Sequence, residues 1–146
     1  MKKLNRKGFT LIELLAVIVI LAVVLVVTIP SVISSMNKAK ESQLQNAADT
    51  ATEWFTKQYE LATLGTVAGG ADPAYDTFGK VTTTSKPLTP EVLKAAGVTD
   101  TEGLINTGST VNLTAVGKVC VKLEAKSGPF FVSGGTNKVS GSGCND

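Results

Sequence analysis

The sequence predicts an α+β protein: one long N-terminal helix, with its second half packed against a small C-terminal antiparallel sheet. Three observations predict it. Residues 9–29 are apolar except for Thr10, Glu13 and Thr28. Apolar residues then recur at spacings of three and four as far as Ala62, which is the period of one helix face. After residue 110 the pattern changes to strict alternation between glycine-marked turns, which is the period of a half-buried strand.

Composition narrows the function before any motif is read. The chain has 146 residues, two cysteines, no histidine and a formal net charge of +2. The length is that of one domain. Without histidine, the usual general base and the Ser-His and Cys-His nucleophile pairs are absent. Most catalytic zinc sites go with them, and two cysteines are too few for a four-cysteine structural site. We therefore expect neither an enzyme nor a bound metal or cofactor. No basic run follows the first seven residues, so no nucleic-acid partner is expected for this chain directly.

The first element is a basic leader with an apolar span. Lys2, Lys3, Arg6 and Lys7 precede Gly8. As a helix, residues 9–29 extend about 31 Å, the thickness of a bilayer's hydrocarbon core. The positive charges place the N-terminus in the cytoplasm and the body outside. A cleaved secretory signal fits poorly. Its apolar core is shorter, about 7–15 residues, and ends in a small-residue cut site, whereas this span leaves through Ile29-Pro30-Ser31-Val32. No cysteine lies near residue 20 to carry a lipid anchor.

Glu13 separates this span from a plain anchor. A carboxylate at mid-membrane costs about 2.5–3.5 kcal/mol on insertion scales, and less one turn in, where it snorkels. Groups of this kind have a partner in the membrane. No Lys or Arg lies between Phe9 and Asn37, so the helix is expected to offer no internal partner. The expected partner is another chain or a newly made terminal amine.

The run Lys7-Gly8-Phe9-Thr10-Leu11-Ile12-Glu13-Leu14 resembles the class III leader and cut site of type IV pilins and related pseudopilins. The resemblance covers about 25 residues. It implies cleavage between Gly8 and Phe9 by prepilin peptidase, and N-methylation of the new Phe9 amine. Glu13 then occupies the family's glutamate position and Pro30 the position of its first helix proline. Many members of the family have a mid-span glycine where this chain has Ala22, so Pro30 is the remaining helix breaker and any unwinding near Ala22 is in doubt.

The helix is expected to continue through Pro30 with a kink. Leu44, Ala47, Ala48, Ala51, Trp54, Phe55, Leu61 and Ala62 form its apolar face, with Glu41, Gln45, Asp49, Glu53 and Lys57 opposite. Trp54 reads as core. Residues 66–85 are rich in Gly, Thr, Asp and Pro and read as a connecting loop. Asp72 and Asp76 there are structural rather than calcium ligands, because no oxygen-rich repeat surrounds them. Thr89, Pro90 and Gly97 mark the cap, first position and end of a short helix over 90–96. Strands are expected at 110–116, 118–125 and 129–133. In the middle one, Val119, Val121, Leu123 and Ala125 share the face that packs on the helix stripe, while Lys118, Cys120, Lys122 and Glu124 face away. Asn112 matches a glycosylation pattern but reads as a strand residue. The organisation is thus leader 1–8, span 9–29, amphipathic helix 30–64, connecting region 65–109, and meander with tail 110–146.

Cys144 ends a Gly/Ser-rich tail that can cross the outer face of the sheet, so a Cys120–Cys144 disulfide is expected outside the cytoplasm. The leading expectation is a structural subunit of a type IV pilus-like filament, supporting adhesion or motility. Glu13 and Thr10 act in assembly. The partners implied are identical subunits, prepilin peptidase, an assembly platform and a motor ATPase, with the cell membrane before assembly and the cell surface after. The alternative is a pseudopilin of a secretion or DNA-uptake machine. A signal-anchored binding or enzymatic domain is the third reading.

Overall fold

The computed structural model describes residues 8–65, 72–99, 103–126 and 131–133. They fall into two units, Met1–Lys38 and Ala39–Asp146, each taken by itself below. Helix α1 (Leu11–Leu64) contributes to both.

In the first unit α1 is uninterrupted through Ala22 and Pro30. Proline has no N–H to donate to the preceding turn. Just before it, the Thr28 hydroxyl donates to the Leu25 carbonyl at 3.4 Å. Every large apolar side chain from Phe9 to Met36 is at least half exposed. A helix apolar all round has no place in water and belongs in lipid or in a bundle of like helices. It is long and apolar enough to cross a membrane by length and composition.

The second unit is an α+β head. From residue 39, α1 buries Leu44, Ala48, Ala51 and Phe55, with Ala47, Trp54 and Ala62 half-buried beside them. These are stripe residues that the periodicity identifies. Two buried polar residues interrupt the stripe. Thr52 donates back to the Ala48 carbonyl at 2.7 Å, and the Gln58 carbonyl oxygen accepts the Asp72 N–H at 2.7 Å. Both groups are therefore satisfied, which removes most of the cost of burying them.

Helix α2 (Pro73–Phe78) lies where composition predicts a loop. Its cause is local. The Asp72 side chain accepts the Ala74 N–H at 2.8 Å, Pro73 takes the first position, and Gly79 ends the helix at φ 84°. These are the same cap, proline and glycine devices that mark α3 (Pro90–Ala95), where Thr89 accepts the Val92 N–H. Helix α2 carries Tyr75 into a cluster with Trp54, Phe55 and Phe78. Phe55 sits 5.0 Å from Trp54, 6.2 Å from Tyr75 and 5.7 Å from Phe78 between ring centroids, within the range for favourable aromatic pairs.

The sheet is antiparallel, in the order β1 (Lys86–Pro87), β2 (Thr110–Leu113), β3 (Val119–Glu124), β4 (Phe131–Ser133). β1 is a two-residue edge that strand patterning does not reveal. Its proline sits where an edge strand tolerates one. β2 is shorter than the expected 110–116. Thr114 ends it, because its hydroxyl accepts the Lys118 N–H and its carbonyl accepts the Gly117 N–H, closing a turn with Gly117 at φ 81°. At the other end of β3, Ala125 leaves the ladder to bridge Ile105. The expected start of β4 at Pro129 lies outside the described residues. Val119, Val121, Leu123 and Ala125 join the core that contains Leu44, Ala48, Ala51 and Phe55, as the alternation predicts.

Candidate processing and assembly site

The chemistry-bearing residues of the N-terminal segment meet at the start of α1. Gly8, Phe9 and Thr10 are non-helical and exposed, and the helix begins at Leu11. Thr10 is the capping residue. Its carbonyl accepts the Glu13 and Leu14 N–H groups at 3.1 and 3.2 Å. Its hydroxyl accepts the Glu13 N–H at 3.3 Å, and the Glu13 carboxylate reaches back to accept the Thr10 N–H at 2.9 Å. This reciprocal exchange is a capping box, T-x-x-E, which satisfies two orphan donors at once. A carboxylate in the first turn also meets the positive end of the helix dipole.

The box corrects one expectation. The helix does offer Glu13 an internal partner, a backbone amide rather than a cation. The signal lies in the spacing of Thr10 and Glu13, which is that of a capping box and is independent of charge pairing.

Gly8 stands in open space. A Cβ built there would meet nothing within 4 Å. The chain itself thus has room for a side chain at this position.

The remaining sequence-predicted residues are distributed through the head. Cys120 is 3% exposed on β3, opposite Asn112. It is buried without belonging to the apolar core that Val119 and Val121 join. It is not a free thiol. Cys144 lies outside the described residues. Asn112 is a strand residue whose side chain donates to the Leu113 carbonyl at 2.9 Å. Asp72 is occupied as the cap of α2. Tyr75 is buried with its hydroxyl accepting the Val81 N–H at 3.5 Å. Burial pushes its pKa above the ordinary phenol value. The Val81 hydrogen bond opposes this, and Tyr59 and Asp76 add to it.

A basic leader, an exposed Gly8–Phe9 junction and an apolar helix opened by a single carboxylate stand together at the N-terminus. Residues 3–29 match the family model of the prokaryotic N-terminal methylation motif. The chain therefore carries the class III leader of type IV pilins and pseudopilins. No curated protein and no solved structure matches the chain.

Proposed function

We propose that the chain is a structural subunit of a type IV pilus-like filament, cleaved between Gly8 and Phe9 and methylated on the Phe9 amine. The observation that carries this reading is the junction itself: Gly8-Phe9 stands exposed and non-helical, immediately before an unpartnered apolar helix that the Thr10–Glu13 pair opens. Before assembly the span sits once across the cell membrane with the leader in the cytoplasm. After assembly the apolar helices form the filament's centre and the heads its surface. Adhesion or motility are then properties of the filament.

The energetics assign the work to other proteins. Lipid tails are as apolar as a neighbouring helix, so moving the span from lipid into a bundle brings little hydrophobic gain. Direction must come from elsewhere. A separate motor ATPase acting through an assembly platform supplies the work, and the charge pair between Glu13 and a neighbour's Phe9 amine supplies register. In a low-dielectric core such a pair is far stronger than in water, and a misplaced subunit leaves a charge unpaired. In the head, a disulfide between Cys120 and Cys144 pins the tail across the outer face of the sheet. The buried, non-free Cys120 sulfur supports it.

The test is processing. The mature chain begins at Phe9 by mass spectrometry, and loss of four basic residues takes its formal charge from +2 to −2. Gly8→Val leaves uncleaved precursor in the membrane and no filaments by electron microscopy. Because the chain has room at position 8, that defect reports the peptidase's fit and not misfolding. Normal filaments from Gly8→Val would overturn the assignment.

A further inference from the structure

We infer that the groove beside α3 receives the end of α1 from a second copy of this chain, with Leu64 seated against its apolar wall and Glu60 facing Lys94 and Lys126. The inference rests on the filament-subunit reading above and names one contact through which the heads meet.

Groove and knob both belong to the head. The groove has a volume of about 430 Å³, and Leu88, Leu93, Val98 and Ile105 supply its apolar wall. Lys94, in the last turn of α3, and Lys126, beyond β3, line it too, and both are exposed. An apolar wall beside two cations fits an apolar group that carries a carboxylate next to it. Among the described residues of the head, the exposed large apolar side chains are Leu64, at 66%, and Val116, at 62%. A single exposed apolar residue means little by itself, but charge selects between these two. Val116 stands two residues from Lys118, which the groove's lysines repel. Leu64 stands four residues beyond the exposed Glu60, so the two share one helix face. The last turn of α1 holds no basic residue, so the negative end of the helix dipole adds to Glu60 there.

The exposure of Leu64 means that it does not fill the groove of its own chain. The knob is also held in place. The Gly65 N–H donates to the Leu61 carbonyl at 3.3 Å and closes the helix end, so docking orders little that was free before. Knob and groove are different surfaces, which makes the contact heterologous. Each docked copy still offers its groove to one neighbour and its knob to another. Such a contact repeats along a filament wherever its rotation does not close a ring. Glu60 against the two lysines fixes the register and rejects a shifted copy, more than it adds strength.

The experiment expresses the full 146-residue chain with a photoreactive benzophenone amino acid in place of Leu64. Isolated filaments are irradiated and digested. Covalent dimers form, and mass spectrometry joins position 64 of one copy to the stretch 88–107 of another. Filament yield is read in parallel. Leu64→Ser weakens the contact roughly tenfold and lowers the yield. Glu60→Lys lowers it roughly fivefold, as does the Lys94→Glu and Lys126→Glu pair, and all three changes together return it to within about twofold of the wild type. These four side chains are exposed, so each variant's head melts within about 2 °C of the wild type, which separates a lost contact from a lost fold. Filaments that form without any link from position 64 to the groove overturn the inference and leave the subunit reading standing. Wild-type yield from Leu64→Ser, or no recovery in the triple charge exchange, overturns it equally. A wild-type chain that makes no filament overturns the subunit reading, and this contact with it.

Discussion

Phe55→Ala is the sharpest test of how the head is built. Phe55 is fully buried on α1 and touches the rings of Trp54, Tyr75 and Phe78. It therefore joins α1 to α2, the element that composition hides. Truncation removes the ring and leaves a cavity among side chains that cannot all follow it inward. Changes of this kind cost roughly 3–5 kcal/mol. Unfolding entropy of about 2.1 cal/mol/K per residue over about 100 residues converts each kcal/mol into about 5 °C. The expected fall in Tm is thus roughly 15–25 °C. Near-ultraviolet circular dichroism of the full chain in mild detergent is the assay. The only tryptophan and both tyrosines, Trp54, Tyr59 and Tyr75, lie in the head unit, so the aromatic signal follows the head while the detergent-held span stays helical. Val116→Ala, an exposed turn residue, is the control and shifts Tm by no more than about 2 °C. If Phe55→Ala melts within about 3 °C of the wild type, the aromatic cluster does not hold α2 to α1 and the packing account is wrong.

Two further outcomes are expected. If the proposed Cys120–Cys144 bond forms, a Cys120→Ser and Cys144→Ser double variant loses a link closing a loop of about 25 residues, worth roughly 3.5 kcal/mol on a chain-entropy estimate. It melts lower with a protease-sensitive tail, and full alkylation of both thiols in untreated filaments would show that the tail is held otherwise. Tyr75 has its folded pKa raised, chiefly by burial, so its contribution is complete below the ordinary phenol value and is lost as pH rises through the folded one. Stability of the head falls above about pH 10, and Tyr75→Phe reduces that fall in melts taken across the same range; an unchanged slope would mean that Tyr75 ionisation is not its cause.

The residues that were legible in the sequence are those whose environment repeats. The span, the stripe from Leu44 to Ala62 and the alternation of Val119, Val121 and Leu123 each reflect one face meeting one medium many times over. The cap at Thr89 was legible because a hydroxyl, a proline and a terminal glycine stand at fixed offsets. Helix α2 carries the same devices at Asp72, Pro73 and Gly79, yet its six residues are too few to show periodicity and lie in a loop-like composition. β1 is shorter still, and its pairing partners Val111 and Thr110 lie more than twenty residues away. Gln58 is polar on an apolar face. Only the position of the Asp72 N–H explains it, and that is a tertiary fact. The box at Thr10 and Glu13 is readable from the T-x-x-E spacing alone.

The two parts of the chain answer to different physical requirements. On the proposed function, the leader must fit a peptidase at the Gly8–Phe9 junction. On the same reading the span must fit a bilayer about 30 Å thick, and Thr10 and Glu13 face each other across one helical turn to cap it. Each of these is a constraint on residue type at a fixed position. The head has no such external template. Its requirement is an apolar stripe on a helix, an alternating strand to cover it, and satisfied polar groups between. Cores accept many apolar combinations of suitable volume and pattern, so very different sequences meet that requirement equally well. A head built on Phe55, Tyr75 and Leu123 is one solution among many to the same packing problem. On the proposed function, the surface of the head and not its core would set the outer face of the filament.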